Sequence, residues 1–128
     1  MPHRLALDFL ADTFAVCRLD PASPLPAWAD CGEFVSVTRT AAELSVVCPQ
    51  RFVPDGVRHE PGWRCLRLAG PIDFGLTGVL AALLVPLADA GIGAFALSTF
   101  DTDYVLVKGG DASRAADVLR SAGHTVAD

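Results

Sequence analysis

The chain has 128 residues, of which 52% are hydrophobic and 20% charged, a composition typical of one globular domain or of two very small ones sharing a core. Fifteen acidic and ten basic residues give a formal net charge of −5, and no run of Lys or Arg forms a stripe that neutralises phosphates. We therefore expect neither nucleic acid nor an anionic membrane as a partner.

The N-terminal residues "MPHRLALDFLADTFAVC" imitate a signal peptide, but Asp8 and Asp12 interrupt the apolar stretch and no small-residue cleavage site follows. The four cysteines have neither a C-x-x-C spacing nor a histidine at ligand spacing, which predicts reduced core thiols and no bound metal. Both features indicate a cytoplasmic protein.

The first half of the chain predicts three strands. Apolar and polar residues alternate over 13–19, 33–39 and 43–48, and the last two segments are close enough to form a hairpin. The linker "DPASPLPAWADCG" holds three prolines and therefore leaves room for one or two helical turns. We interpret residues 1–60 as a truncated first module.

The second half predicts six elements in the order β-α-β-β-α-β, which is the ferredoxin-like arrangement. Asp73 and Asp111 are the expected N-caps of its two helices. We therefore predict an α+β fold in which residues 61–128 form a complete second module. Its expected elements are a strand at 63–69, a helix at 74–90, strands at 92–98 and 104–108, a helix at 112–122 and a short strand at 124–127.

The helix expected at 74–90 is apolar almost all round. The segment 77–97 is long enough to span a bilayer, but Pro86, the ending at Gly91 and the lack of close basic anchors favour a core helix instead. One sheet covers only one face of such a helix, so the first half or a second chain must cover the other. We therefore predict a homodimer.

Two features beside this helix have opposite chemical preferences. The stretch "PIDFGLTG" offers backbone N–H groups at a helix N-terminus, where a carboxylate binds. In the turn "STFDTD", Asp101 and Asp103 can meet a cation. A free amino acid carries both charges on one carbon and suits this pair. Each feature also has a purely structural interpretation, because Asp is common in turns and caps.

Catalytic patterns are weak. His3, His59 and His124 have no Ser, Cys or acid at a recognisable spacing, and the "GIG" at 91–93 precedes a strand instead of following one. We therefore predict that the protein is not an enzyme and uses no cofactor. A small enzyme stays open as an alternative.

The stretch "GLTGVLAALLVPLADAGIGAFALSTFDTDYVLV", within residues 63–108, resembles the ACT-domain family, in the branch that includes the CASTOR-type cytosolic arginine sensors. Features shared with that branch are a helix ending in "PLA", a strand ending in "ALSTF" and an aspartate before the next apolar strand. The segment "FVSVTRTAAELSVVCP" is similar to the hairpin of the preceding ACT module. This resemblance implies tandem ferredoxin-like modules that bind an amino acid at a module interface.

The resemblance also implies which residues contact the ligand, at the helix start and at the turn after the "STF" strand. Asp103 matches the carboxylate of the sensors, whereas Asp73 occupies a position that is glycine there. The sensors carry four modules, so a homodimer of this chain completes a comparable arrangement. The implied ligand-binding residues are Asp73, Phe74, Thr77, Gly78, Val79, Leu80, Thr99, Phe100 and Asp103.

The sequence therefore predicts a small regulatory protein that binds a free amino acid without transforming it. Binding favours one packing or association of the modules, and a regulated protein partner responds to the difference. The alternative is an oligomerisation or protein-interaction module without a ligand, whose apolar helix serves only association.

Overall fold

The computed structural model describes residues 3–73 and 75–127. The chain forms two compact units, one made of the residues up to 11 and from 64 onward, the other of residues 12–63. Helices and strands run as follows: β1 (Ala6–Leu19), β2 (Ser36–Arg39), β3 (Leu44–Pro49), β4 (His59–Leu68), α1 (Val79–Asp89), β5 (Ala94–Ser98), β6 (Asp103–Lys108), α2 (Ala112–Ser121) and β7 (Thr125–Val126).

The larger unit has the element order β4-α1-β5-β6-α2-β7, so the predicted ferredoxin-like α+β fold is confirmed. Its strands lie in the order β7-β1-β4-β6-β5. The two helices contribute their apolar sides to one core, whose buried members are Leu7, Leu66, Leu68, Val79, Leu83, Leu87, Ile92, Val105, Val107, Ala112, Ala115, Ala116, Leu119 and Val126.

The N-terminal part of β1 is a member of this unit that the sequence did not predict. Carbonyls at its start accept from chain on both sides. Leu5 and Leu7 accept from the Thr125 and Ala127 amides, in and just after β7, and Ala6 accepts from the Ala69 amide, just after β4. The strand was expected to begin at residue 13 and in fact begins at Ala6. Its buried side chains do not alternate with a constant period of two, so the sequence pattern does not indicate one long strand. These buried side chains are Leu7, Leu10, Phe14, Ala15 and Cys17.

Helix α1 begins five residues later than predicted. Its N-cap is Gly78 at φ 78°, a left-handed conformation that glycine adopts without strain. The prediction that Asp73 caps the helix is wrong, because its carboxylate Oδ1 accepts from the Gly75 amide at 2.7 Å and closes a local turn. The predicted ending is confirmed, since Gly91 at φ 75° follows the last turn.

Helix α2 begins at Ala112 as predicted, with Asp111 at its N-cap position. Asp111 makes no side-chain cap, and its carboxylate instead accepts from Arg114 at 3.2 Å. The predicted apolar face is correct for four positions, while Ala122 at the helix end is exposed. The buried positions are Ala112, Ala115, Ala116 and Leu119.

The smaller unit contains the predicted hairpin. Strands β2 and β3 pair antiparallel from Ser36 opposite Val47 to Arg39 opposite Leu44. Phe14 and Phe34 contact edge to face with ring centroids 5.6 Å apart. A separate core includes Ala29, the buried residue of the 3₁₀ turn at Ala27–Asp30 in the proline-rich linker. The buried members of this core are Ala15, Cys17, Ala29, Leu44, Val46 and Cys48.

All four cysteines are free thiols, as the spacing predicts. Burial disfavours the thiolate of Cys65 and raises its pKa to about 12. Within residues 3–73 and 75–127, no group of three or more His, Cys, Asp or Glu side chains is placed to hold a metal ion. None of the helices described there has the length and hydrophobicity needed to cross a bilayer.

Helix α1 contains Pro86, whose ring nitrogen has no hydrogen to donate to the carbonyl of Ala82 one turn earlier. The imidazole of His124 supplies the missing donor. The Leu5 amide donates to Nδ1 at 3.1 Å, so the ring hydrogen resides on Nε2, which lies 3.1 Å from the Ala82 oxygen. His124 is 5% exposed, and through these two bonds it joins Leu5, just before β1, to Ala82 of α1.

We predict that His124→Ala lowers the free energy of unfolding by about 2–4 kcal/mol, because it leaves the Ala82 carbonyl and the Leu5 amide without partners. In a Pro86→Ala background the new amide can bond to the Ala82 carbonyl, so the same substitution costs about 1 kcal/mol less. Urea denaturation of the four proteins measures this cycle. An equal cost in both backgrounds would show that His124 does not replace the donor missing at Pro86.

Candidate functional site

A pocket of about 160 Å³ opens beside the N-terminus of α1, within the larger unit. One wall is formed by described residues between β4 and α1 and by the first residue of α1, and the other by the β5–β6 turn with the strand ends beside it. Its lining residues are Ile72, Asp73, Leu76, Val79, Ser98, Thr99, Phe100, Thr102 and Asp103.

Two hydrogen bonds hold these walls together. The Thr102 hydroxyl is buried and donates to the Leu68 carbonyl at 2.7 Å, which ties the turn to the end of β4. The Ile72 amide donates to the Asp101 carbonyl at 2.7 Å, which ties the segment after β4 to the same turn. The distance between the walls is therefore set by backbone groups and one buried hydroxyl.

The turn itself is closed by Thr99, whose amide donates to the Thr102 carbonyl at 2.8 Å. Asp103 was expected in this turn, but it is the first residue of β6 and pairs directly with Ser98 of β5. The Ser98 hydroxyl donates to Asp103 Oδ1 at 2.6 Å. Asp103 is half-buried, so the strand register and this bond fix where its carboxylate lies.

The charged side chains among the described lining residues are Asp73 and Asp103, both acidic. Val79 also lines the pocket and is the first residue of α1, and the first amides of a helix have no partner within it. The segment before the helix is held from outside by His3, whose Nε2 lies 2.7 Å from the Thr77 carbonyl. The pocket thus offers carboxylates for a cation and a helix N-terminus for an anion.

The structure brings five of the predicted site residues together in this pocket: Asp73, Val79, Thr99, Phe100 and Asp103. Thr77 and Gly78 instead line a neighbouring, more open pocket with His3 and His124, and Leu80 lines neither of the two. Phe74 lies outside the described residues.

Four lining residues were not predicted: Ile72, Leu76, Ser98 and Thr102. The hairpin register was the signal that could have found Ser98, because a four-residue turn over 99–102 places it opposite Asp103. Thr102 carries no such signal, since its role depends on the distant Leu68 carbonyl. Ile72 and Leu76 belong to a segment whose sequence has neither a helical nor a strand-like hydrophobic period.

Comparison with known proteins agrees with this architecture. The sequence profile described as ACT domain matches residues 58–121, and a profile that describes an N-terminal domain matches residues 12–56. Protein Atu0741 of Agobacterium tumefaciens is 43% identical, with a TM-score of 0.93 over 98% of this chain and 93% of that one.

Two further similarities are more distant. The regulatory subunit of aspartate kinase from Thermus thermophilus, 11% identical, has a TM-score of 0.66 over 95% of this chain and 99% of that chain, a likeness of fold. The cytosolic arginine sensor for mTORC1 subunit 1 of Rattus norvegicus is 36% identical over 59 residues. That match covers 45% of this chain and only 18% of the rat protein. On the profile match and the fold, the chain belongs to the ACT-domain family.

Proposed function

We propose that this chain is a small cytoplasmic regulatory protein that binds a free amino acid in the pocket beside α1 and does not transform it. The observation that carries the proposal is that Asp103 and the N-terminus of α1 share one pocket of an ACT module. A group that binds cations and a group that binds anions therefore lie within reach of one small zwitterion.

In the proposed complex the α-ammonium group contacts Asp103, and the α-carboxylate accepts from the amides at the start of α1. A cavity of about 150 Å³ holds benzene, so a pocket of this size accommodates the headgroup of an amino acid. A longer side chain would extend past Leu76 and Phe100, which are 50% and 82% exposed.

Asp73 bears on which amino acid fits. Its carboxylate lines the same pocket, with Oδ1 held by the Gly75 amide. A negative charge near the N-terminus of α1 competes with the ligand carboxylate for that end of the helix. The arginine sensors that the chain resembles have glycine at this position. We therefore do not propose arginine as the ligand, and the test includes all twenty amino acids.

We further propose that residues 1–60 and 61–128 correspond to a truncated and a complete ACT module. Binding then acts by linkage, because a ligand that contacts one arrangement of the modules or chains better than another shifts the population toward it. A regulated protein partner would respond to that shift. The rat relative is named as an arginine sensor, and the similar Thermus thermophilus protein as a regulatory subunit, which supports a regulatory function.

We predict that at least one of the twenty L-amino acids raises the melting temperature of the wild-type protein, because a ligand that binds only the folded form stabilises it. At a hundred times the dissociation constant the gain is about 2.7 kcal/mol, which corresponds to roughly 10 °C for a chain of this size. Thermal-shift measurements with each amino acid provide the test. A flat response to all twenty at millimolar concentration contradicts the proposal.

We predict that Asp103→Asn weakens binding of the amino acid selected in that screen by at least about tenfold, because a charge-assisted contact of this kind contributes about 1.5–3 kcal/mol. Asp101→Asn is the matched control, since Asp101 lies two residues away in the turn, is exposed and does not line the pocket. Calorimetry on the three folded proteins compares them. Equal affinities for wild type and Asp103→Asn would place the ammonium site elsewhere.

The alternative function, an association module without a ligand, rests on a different surface. Val85 is 54% exposed near the middle of α1, and Ala81 and Ala88 beside it on that face are exposed as well. Such a face suits contact with a second copy of the chain. We propose a homodimer in either case, whereas an open pocket with polar walls favours the ligand-binding function.

We predict that the wild-type protein is a dimer or larger and that Val85→Glu shifts it toward the monomer, because a carboxylate on this face would be desolvated in the interface. Val37→Glu is the control, since it adds the same charge at a 42% exposed position of β2. Light scattering gives the masses. A wild-type monomer at micromolar concentration, or equal effects of both substitutions, rules out this face of α1 as the contact.

A further inference from the structure

Ser98 stands directly opposite Asp103 in the β5–β6 pair, and its hydroxyl donates to Asp103 Oδ1 at 2.6 Å. Ser98 is exposed, so burial does not require its hydroxyl to find a protein partner. The bond is short and charge-assisted, and it lies at the edge of the pocket that both residues line. The Ser98 side chain therefore helps to set the position of the Asp103 carboxylate, and its hydroxyl has no other hydrogen-bond partner among the described residues.

We propose that Ser98 is a positioning residue that orients Asp103 and makes the pocket selective for a primary ammonium group. This inference rests on the proposed function. With Oδ1 engaged by the serine hydroxyl, Asp103 Oδ2 has no hydrogen-bond partner in the part of the chain that the structure describes. The Ser98–Asp103 pair therefore presents Oδ2 to a ligand as the acceptor with both lone pairs available.

The shape of this acceptor discriminates between cations. A guanidinium group binds a carboxylate best through two parallel bonds, one to each oxygen. The serine hydroxyl already takes one of the two lone pairs of Oδ1, so a guanidinium would have to share that oxygen with it. A primary ammonium group is a compact point charge that one oxygen satisfies. We therefore expect the α-ammonium of an amino acid to bind at Asp103 and a guanidino group in its place to bind less well.

The experiment uses calorimetry on the full chain with four proteins: wild type, Ser98→Ala, Ser98→Thr and Ser121→Ala. Ser121→Ala is the matched control, because Ser121 is exposed at the end of α2 and lies outside the pocket. The probes are the L-amino acid that binds wild type most tightly in the screen of twenty and two analogues of it. In these analogues a hydroxyl or a guanidino group replaces the α-ammonium; for glycine they are glycolate and guanidinoacetate.

We expect Ser98→Ala to weaken binding of the amino acid by about fivefold, the loss that corresponds to one hydrogen bond of ordinary strength. Binding of the hydroxyl analogue, which lacks the cation, should stay unchanged, and the preference for ammonium over guanidino should fall. Ser98→Thr keeps the hydroxyl and should retain wild-type affinity within about twofold, as should Ser121→Ala.

Three outcomes overturn the inference. If Ser98→Ala binds the amino acid as tightly as wild type while Asp103→Asn does not, Ser98 has no positioning role and the proposed function stands. If Ser98→Ala weakens the amino acid and its hydroxyl analogue equally, the residue supports the hairpin in general. If no amino acid binds wild type, the proposed function fails and the inference fails with it.

Discussion

The pocket depends on the hydrogen bond from the Thr102 hydroxyl to the Leu68 carbonyl. Both groups are buried, and leaving a buried polar group unpaired costs about 1–3 kcal/mol. This bond therefore holds the β5–β6 turn against the end of β4. This contact sets the position of Thr99, Phe100 and Asp103 relative to the segment that carries Asp73. The Ile72–Asp101 backbone bond then fixes the other side of the same crevice.

The helix N-terminus reaches the pocket through a second set of constraints. His124 supplies the donor that Pro86 lacks and so links Ala82 of α1 to Leu5, just before β1. Gly78 permits the left-handed turn from which the helix begins, and His3 contacts the carbonyl just before it. The N-terminus of α1 is therefore held by groups that themselves lie outside the pocket.

The sequence predicted the elements in which a regular hydrophobic period continues without interruption. It did not predict features that depend on tertiary contacts. The alternation over 63–69 and the spacing of alanines in α2 supported the predicted β-α-β-β-α-β order. The start of α1 was missed because Asp73 satisfies a nearby amide, a local turn that competes with capping. The family pattern pointed to Asp103, which lines the pocket. The bond of Ser98 to Asp103 depends on the hairpin register, and that of Thr102 on a residue 34 positions away.

Much of the pocket wall is irregular chain, from the segments 69–73 and 75–78 and the turn 99–102, with few regular backbone bonds of its own. Such segments open more easily than the core elements that flank them. An amino acid held between Asp103 and the start of α1 would join both walls and restrict that opening. The face around Val85 belongs to the same helix. If ligand binding changed how α1 associates with a second copy, each event would alter the affinity of the other by the same factor.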